Sequence, residues 1–339
     1  MKLAAFSVLY KDRPLGHVLD LFRDKGLAWV EVGAGGFIGK DHCDPGRLLD
    51  DALAREAYRE EFATRGMKIA ALSCHGNPVH PQEKLAEGYR RDIKEAIDLA
   101  ALLGIEHIVT FSGCPGDSEG SLYPNWPVSP FPEDFRTVLA WQWEKKLVPY
   151  WREVGKYAGD KGVRIALEMH GGYSVHSPGT AIRLRHETGC AAIGANMDPS
   201  HLWWQGIDPV LAAGYLGKED CLFHFHAKDA SIDVHNASYH GLTDMQGFDE
   251  VFGRAWQFRT VGYGHSLKDW ADIFSALRKA GYDGVVSIEH EDSYMSVEEG
   301  LDKAIANLTQ VLIVEPASAP KAFDIDDSFA GRFAGGKAR

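Results

Sequence analysis

The stretch RIALEMHGG at 164–172, with AIGANMDPSH at 192–201, carries the pattern that decides the fold. Each piece begins with a short apolar run, which predicts a buried strand, and ends in polar residues. Gly189 lies just before the second piece, where the end of a helix often requires a residue at positive φ. A strand, a helix and a second strand in this order predict one βα unit of a parallel sheet.

The same alternation continues along most of the chain. We predict eight strands, at 3–9, 28–32, 68–73, 107–111, 164–169, 192–197, 222–226 and 284–290. Amphipathic spacing predicts helices between them, among others at 53–65, 84–103, 139–159 and 267–280. Eight strands buried on both faces, mostly followed by helices, predict an α/β fold that is a single (β/α)8 TIM barrel. We assign residues 1–315 to this catalytic domain and 316–339 to a Pro/Ala/Gly-rich C-terminal tail.

Two long segments interrupt the alternation. Residues 112–131 are rich in Pro, Gly, Ser and aromatic residues, and residues 228–265 separate the seventh strand from the next helix. Both follow the carboxyl end of a strand, which is the face of a barrel where active sites are built. We interpret them as lids or substrate-binding loops, and the alternative is that they form contacts in a homo-oligomer, which we expect this protein to be.

Composition excludes several classes of function. The 339 residues include 36 Lys+Arg against 48 Asp+Glu, a formal net charge of −12, and 45% are hydrophobic. A binder of nucleic acid backbones neutralises phosphates with clustered cations, so no nucleic acid partner is expected. No run of about 18 apolar residues predicts a membrane helix, so no membrane association is expected either. Five scattered cysteines without a C-x-x-C pair, and no secretory leader, favour a cytoplasmic location.

Four consecutive predicted strands deliver carboxylates or imidazoles at their carboxyl ends. The preferred residues are Glu168, Asp198, His226 and Glu289. A carboxylate at the inner end of a buried strand is costly unless a cation compensates it, and a shared divalent cation is the simplest compensation. Three carboxylates and one imidazole suit Mn²⁺ best, with Mg²⁺, Co²⁺ or Zn²⁺ as alternatives. The competing interpretation is that these are ordinary charges in surface loops.

The ordered set of motifs resembles the xylose isomerase-like TIM-barrel superfamily, in its sugar phosphate isomerase/epimerase branch. The motifs are WVEVGAGG (29–36), LSCHGNPVHP (72–81), LEMH (167–170), NMDPSH (196–201), HFHAKD (224–229), RTVGYGH (259–265) and GYDGVVSIEHED (281–292). Within that branch the chain looks like the tagatose 3-epimerase-like enzymes. The resemblance implies the same four metal ligands, and it places His201 beside the metal and the substrate.

The resemblance also implies a reaction on a sugar or keto-sugar. In such enzymes two metal-bound glutamates, here Glu168 and Glu289, exchange protons with carbon through an enediolate. His170 departs from the small epimerases, and it is a candidate base or leaving-group acid or, equally, a residue that orients Glu168. Longer members include large subunits of C-glycoside deglycosidases, which implies an alternative function as a lyase on 3-oxo-glycosides, with a small partner subunit.

Further residues are candidates for binding the substrate. Glu31 and His75 lie at the carboxyl ends of their strands and are candidates to bind hydroxyl groups. Trp126 lies in the first long segment, and its aromatic face is suited to stack on a sugar ring or an aglycone. Lys228 follows the metal histidine, and Arg259 lies in the second long segment, where either can bind a polar end of the substrate. A role in packing the loops is the alternative for each.

Two other classes of function are less consistent with the sequence. The endonuclease IV-like branch of the same superfamily uses more histidines and a basic DNA-binding face, which the charge of −12 does not offer. A non-catalytic sugar-binding barrel predicts that Glu289→Gln changes no turnover. No G-x-G-x-x-G or G-x-x-x-x-G-K-[ST] fingerprint supports a nicotinamide or nucleotide triphosphate cofactor.

Overall fold

A closed barrel forms the centre of the molecule. The computed structural model describes residues 1–316, so all but the first residue of the predicted tail lie outside the described range. The strands are β1 (Lys2–Phe6), β2 (Trp29–Gly33), β3 (Lys68–Ser73), β4 (His107–Phe111), β5 (Arg164–Glu168), β6 (Ile193–Met197), β7 (Leu222–Ala227), β8 (Asp229–Ile232), β9 (Trp256–Arg259) and β10 (Val285–Ile288). Eight of them pair in parallel in the closed order β1-β10-β7-β6-β5-β4-β3-β2. The predicted TIM barrel is therefore confirmed.

Helices surround the barrel. They are α1 (Leu15–Asp24), α2 (Pro45–Asp50), α3 (Ala52–Ala63), α4 (Glu83–Leu103), α5 (Glu133–Trp141), α6 (Val148–Asp160), α7 (Pro178–Thr188), α8 (Pro199–Trp203), α9 (Pro209–Lys218), α10 (Val234–His240), α11 (Leu267–Lys279) and α12 (Val297–Val311). Gly189 ends α7 at a φ of 69°, as the sequence predicts, and Gly104 ends α4 in the same way at a φ of 70°. Within residues 1–316, no helix is both long and apolar enough to cross a bilayer.

The packing of α11 illustrates how helices bind to the barrel. Its apolar residues follow helical spacing, and Trp270, Ile273, Phe274 and Leu277 are all at most 1% exposed. Burying each such side chain stabilises the fold by roughly 1.5–3 kcal/mol relative to leaving it exposed. Ser266 begins the helix with a capping box, in which Ser266 and Asp269 satisfy each other's backbone N–H groups.

Two predicted elements differ from the structure. The helix predicted at 139–159 begins earlier, at Glu133, and is interrupted by a π-helical turn at Gln142–Leu147 before α6. Pro149 lacks an N–H and cannot complete a regular α-helical ladder there, which accounts for an interruption just before it. The strand predicted at 3–9 ends at Phe6, because Ser7–Tyr10 forms a 3-10 turn.

The segment predicted as a long loop at 228–265 contains regular structure. Strands β8 and β9 pair as an antiparallel hairpin, with Asp229 opposite Arg259, and α10 follows β8. Each strand has only four residues, and β9 is buried at Trp256, Gln257 and Phe258 without alternation. The residue types do alternate, as DASI and WQFR, but four residues are the shortest run in which alternation indicates a strand, and neither strand was predicted. The hairpin covers the carboxyl end of the barrel and brings Phe258 close to the site.

Candidate active site

The four predicted metal ligands meet at the carboxyl end of the barrel. Glu168 is the last residue of β5, Asp198 follows β6, His226 belongs to β7, and Glu289 follows β10. These strands are consecutive neighbours in the barrel, in the order β10-β7-β6-β5. One ligand atom from each residue lies within 4.8 Å of those of the other three. The parallel register thus converts four distant sequence positions into one cluster, which we call the acidic centre.

The start of a short helix holds Asp198 in place. Asp198 is the N-cap of α8, and its Oδ1 accepts a hydrogen bond of 2.8 Å from the backbone N–H of Ser200. Its other oxygen, Oδ2, is buried and has no hydrogen bond to any residue in the 1–316 range. The nearest cationic group is Lys228 Nζ, at 3.3 Å. One oxygen of Asp198 is therefore fixed by the backbone, and the other is left to face the acidic centre.

A second carboxylate orients His226. Both oxygens of Glu31 lie 3.0 Å from His226 Nε2, and Glu31 also accepts hydrogen bonds from His224 and Ser73. Because Glu31 can only accept, His226 carries a proton on Nε2, which leaves Nδ1 as the ring nitrogen that could bind a metal. That Nδ1 lies 3.3 Å from Glu168 Oε2 and 3.3 Å from Glu289 Oε2. It forms no hydrogen bond with the described part of the chain.

The charges of the acidic centre are not balanced by the protein alone. Lys228, which is 1% exposed, donates from Nζ to Glu289 Oε2 and Glu291 Oε1, both at 2.7 Å. Burial favours the neutral acid at Glu289, but the Lys228 ammonium and His226 outweigh it and lower the pKa of Glu289 to about 2. At Asp198 burial prevails, and its pKa is raised to about 7. The cluster therefore holds more carboxylates than cations.

The residues present fit a divalent cation. Two buried atoms, Asp198 Oδ2 and His226 Nδ1, point to a missing partner, since buried polar groups are nearly always satisfied. Two atoms bound to one ion at about 2.1 Å and at tetrahedral or octahedral angles lie about 3.0–3.4 Å apart. The separations of 3.3 Å between His226 Nδ1 and the oxygens of Glu168 and Glu289 fall in that range. Three carboxylates and one imidazole form a donor set that suits Mn²⁺, Mg²⁺ or Co²⁺ and also accepts Zn²⁺.

Three more histidines surround Glu168, and all three were predicted from the sequence. His75 Nε2 lies 3.0 Å from Glu168 Oε2, and His201 Nε2 lies 3.3 Å from Glu168 Oε1. The ring of His170 lies 3.8 Å from that of His201, centroid to centroid. Burial lowers the pKa of His170 and lowers that of His201 well below its usual range, so both rings are neutral at pH 7. Neutral imidazoles can accept a proton or a substrate hydroxyl hydrogen.

Two predicted substrate-binding residues lie outside the acidic centre. The guanidinium of Arg259 binds Asp292, with 3.1 Å between Nε and Oδ2, and lies over the ring of Tyr294. Trp126 packs edge-to-face on His176, with ring centroids 5.4 Å apart. Lys228, in contrast, lies in the centre itself and is bound to its carboxylates. The structure therefore groups Lys228 with the ligands and separates Arg259 and Trp126 from them.

Some residues near the site had roles that sequence reasoning missed. Glu31, considered a hydroxyl binder, is 0% exposed and is fully engaged by His224, His226 and Ser73. Asn196 donates to Glu168 Oε2 at 3.3 Å. A usable signal existed for His224, because it lies two residues before His226 and shares its face of the strand. No comparable signal marks Glu31, because its partners come from two other strands, β3 and β7.

Comparisons with known proteins show the family of this chain. The family model described as xylose isomerase-like TIM barrel matches residues 19–311. An uncharacterized Bacillus subtilis protein, YfiH, is 34% identical over 316 residues, which cover 92% of this chain and 99% of YfiH. Inosose dehydratase of Geobacillus thermodenitrificans is 26% identical over 284 residues, which cover 82% of each chain.

Solved structures show the same fold at lower identity. The crystal structure of 3-keto-D-glucoside 4-epimerase, YcjR, from E. coli superposes with a TM-score of 0.61 at 15% identity. The match covers 91% of this chain and 99% of the epimerase. At that identity the likeness supports the barrel and its strand order, and the chemistry has to be argued from the residues.

Proposed function

The chain belongs to the xylose isomerase-like TIM barrel family, and from that premise we propose that it is a divalent-metal-dependent enzyme that enolises a sugar or keto-sugar, as an isomerase or epimerase. The observation that carries the proposal is the pair of unsatisfied ligand atoms, Asp198 Oδ2 and His226 Nδ1, between Glu168 and Glu289. Sugar-modifying members of this superfamily include epimerases, isomerases and dehydratases. We propose Glu168, Asp198, His226 and Glu289 as the ligands and Mn²⁺ as the preferred ion.

When bound, a divalent cation supplies a Lewis acid that stabilises negative charge on the carbonyl oxygen of the substrate. Glu168 and Glu289 approach the centre from different strands, so their carboxylates can act on opposite sides of one carbon. One removes the proton next to the carbonyl, which gives an enediolate, and the other returns a proton to the same or a neighbouring carbon. Return to the same carbon gives an epimer, and return to the neighbouring carbon gives an isomer.

Neighbouring residues prepare Glu168 for this task. Burial would favour its protonated form, but His201, His226 and His75 lower its pKa well below the usual range, so it enters the reaction as a carboxylate. Asn196 and His75 hold Oε2 from two sides at 3.3 and 3.0 Å. Fixed donors of this kind keep a base in a productive orientation. We assign His75, His201 and Lys228 to substrate binding at this centre; for Arg259 and Trp126 a binding role requires substrate groups that extend away from it.

A second candidate function is a lyase that removes a β-substituent from the same enolate, as in a 3-oxo-glycoside. The observation that favours it is His170, a half-buried neutral imidazole beside Glu168 and His201 that simple proton exchange does not require. Loss of a substituent needs a group that receives or supplies the leaving group's proton, and a neutral imidazole can do so. The similarity to inosose dehydratase supports an elimination as well. A small partner subunit belongs to this alternative.

The decisive experiment measures solvent deuterium incorporation. Protein stripped of metal and then supplied with Mn²⁺ is incubated in D₂O with a free ketose or with a methyl 3-keto-glucoside. We expect deuterium at the carbon next to the carbonyl only with the metal, and loss of the exchange in Glu289→Gln. The second candidate additionally predicts release of methanol. Absence of exchange for every keto-sugar with a stably bound metal would disprove the proposal.

The expectations about location, oligomeric state and partners also stay proposals. We propose a cytoplasmic homo-oligomer that binds neither membranes nor nucleic acid, from the acidic composition and the five free cysteines. Analytical ultracentrifugation of the full chain tests the oligomeric state directly. A filter-binding assay with abasic-site DNA at moderate salt tests the nucleic acid statement.

A further inference from the structure

Lys228 lies inside the acidic centre, where three carboxylates face its ammonium. Nζ donates to Glu289 Oε2 and Glu291 Oε1 at 2.7 Å each, and it lies 3.3 Å from Asp198 Oδ2. The side chain is 1% exposed. An ammonium has three N–H groups, so two are used by these acceptors and one remains for Asp198 or a substrate oxygen. The ammonium is therefore a fixed positive charge of the centre.

Aromatic side chains help to enclose this ammonium. Nζ lies 4.5 Å from the centroid of the Phe258 ring. Phe258 packs on Trp256 at 5.1 Å, and Trp256 stacks on Trp204 with ring centroids 4.8 Å apart. Trp204 in turn contacts Gly171, where an added Cβ would lie 2.2 Å from Trp204 Cζ2. Charges that are shielded from water interact more strongly, so the effect of the ammonium on its neighbours is larger here than at the surface.

Lys228 shares one oxygen with the proposed metal ligands. Glu289 Oε2, which accepts from Nζ, is also the oxygen that lies 3.3 Å from His226 Nδ1. The same oxygen therefore serves a positive charge of the protein and, in the proposed function, the divalent cation. Two positive charges at one carboxylate repel each other, and each receives less of its negative charge.

Glu291 acts on the same ammonium from the rim of the site. It lies 2.7 Å from Nζ, and its side chain is 46% exposed. Glu289, at the same distance from Nζ, is 14% exposed. A carboxylate beside an ammonium offsets part of its charge, but water and salt screen an exposed carboxylate. The charge close to Glu289 is therefore set mainly by Lys228, with a smaller contribution of opposite sign from Glu291.

We propose that Lys228 sets the affinity of the acidic centre for its divalent cation: it weakens metal binding and thereby keeps the ion a strong Lewis acid. The proposal rests on the proposed function, in that the four ligands of the acidic centre hold the ion. Without the ammonium, the carboxylates would neutralise the ion more fully. A more fully neutralised ion stabilises less negative charge on the carbonyl oxygen of a substrate. Lys228 is thus a positioning residue that acts through Glu289.

The test measures two quantities in Lys228→Met of the full chain, which keeps most of the apolar stem and removes the charge. Mn²⁺ affinity, measured by competition against a fluorescent chelator, should rise at least about tenfold. Deuterium exchange into methyl 3-keto-glucoside at saturating Mn²⁺ should fall at least about tenfold. Lys40→Met is the control, because Lys40 also binds two carboxylates, Asp92 at 2.9 Å and Glu95 at 3.1 Å, but they belong to helix α4. It should change neither quantity.

The sign of the change in affinity decides the proposal. If Lys228 only held Glu289 in place, its loss would weaken metal binding, so an unchanged or weaker Mn²⁺ affinity in Lys228→Met overturns the proposal. Exchange as fast as in the unmodified protein also overturns it. Should that variant not fold, Glu291→Gln decides: Mn²⁺ binding should weaken about two- to fivefold, and equal or tighter binding contradicts the proposal. If the unmodified protein binds Mn²⁺ but exchanges no deuterium, the proposed reaction is wrong, and the affinities still test Lys228.

Discussion

Two clusters of carboxylates and imidazoles share His226, and they differ in how completely their hydrogen bonds are satisfied. Around Glu31, both oxygens are engaged by His224, His226 and Ser73. Around the acidic centre, Asp198 Oδ2 and His226 Nδ1 find no hydrogen-bond partner in the described chain. Both clusters are buried, so burial does not distinguish them. We infer that the cluster with all its hydrogen bonds formed holds its residues in place, whereas the cluster with unpaired polar atoms is prepared for a ligand.

The largest expected effect comes from removing a base in the unsatisfied cluster. Glu289→Gln keeps the shape of the side chain but cannot accept the substrate proton. Deuterium exchange should fall by about 10²–10⁴-fold, the usual contribution of a general base. The control is Glu291→Gln, because Glu291 binds the same Lys228 Nζ at 2.7 Å but is 46% exposed at the rim. If deuterium exchange falls equally in both variants, the loss comes from the disturbed Lys228, and Glu289 is not the base.

Metal binding should stabilise the fold through the same unsatisfied atoms. Mn²⁺ at 100 times its dissociation constant is expected to raise the free energy of unfolding by about 2.7 kcal/mol. Chemical denaturation with Mn²⁺ and with EDTA measures the difference. Asp198→Asn, which replaces a ligand oxygen but retains an acceptor for the N–H of Ser200, should abolish the response. If Mn²⁺ stabilises Asp198→Asn as much as the unmodified protein, the metal binds at another site.

Glu31 should affect the metal affinity by orienting His226 and should not bind the metal itself. In Glu31→Gln the amide cannot accept from His224, His226 and Ser73 as the carboxylate does, so His226 loses its fixed orientation. Metal affinity should fall by about 10–100-fold, as for other residues that orient a ligand histidine. Competition against a fluorescent chelator measures it. Restoration of affinity in Glu31→Asp would show that the carboxylate charge is what matters, whereas an unchanged affinity in Glu31→Gln would contradict the comparison.

The smallest expected effect is on the pH dependence of stability. It concerns His107, the first residue of β4, which lies at the amino end of the barrel and belongs to neither cluster. Burial, with smaller contributions from His224 and Arg164, lowers the pKa of His107 to about 3. The unfolded chain then binds the proton more readily, so stability is complete above pH 6.5 and is lost as the pH falls below it. Between pH 6.5 and 5.5 this group should cost about 1 kcal/mol. Urea unfolding of the protein and of His107→Gln checks it, and equal pH slopes would refute it.

The sequence predicted the barrel and the acidic centre well, and physical reasons explain why. Buried parallel strands give continuous apolar runs, and their polar carboxyl ends meet at one face whatever the intervening loops do. The sequence alone could therefore group four residues into one site. In the structure, one ligand atom from each lies within 4.8 Å of those of the others; the residues are Glu168, Asp198, His226 and Glu289. Their catalytic roles remain proposals.

What could not be predicted depends on contacts between distant segments. Strands β8 and β9 alternate polar and apolar residues over only four positions each, so the pattern was too short to reveal their pairing over the site. The sequence also offered no sign that Arg259 pairs with Asp292, which lies 33 positions away in sequence. The same limit applies to Glu31, whose partners come from two other strands, β3 and β7. Pairings of this kind require the register of the folded barrel.

The close approach of Trp204 to Gly171 has a consequence for the family as a whole. An alanine at 171 would place its methyl carbon 2.2 Å from the indole, so the indole can hold this position only where the residue is glycine. Position 171 lies three residues after Glu168 and can therefore be found in any aligned sequence. A glycine at position 171 therefore indicates that the indole of residue 204 can occupy the same place in a homologue. Homologues that retain the four acidic-centre residues can be sorted by this position before any of them is purified.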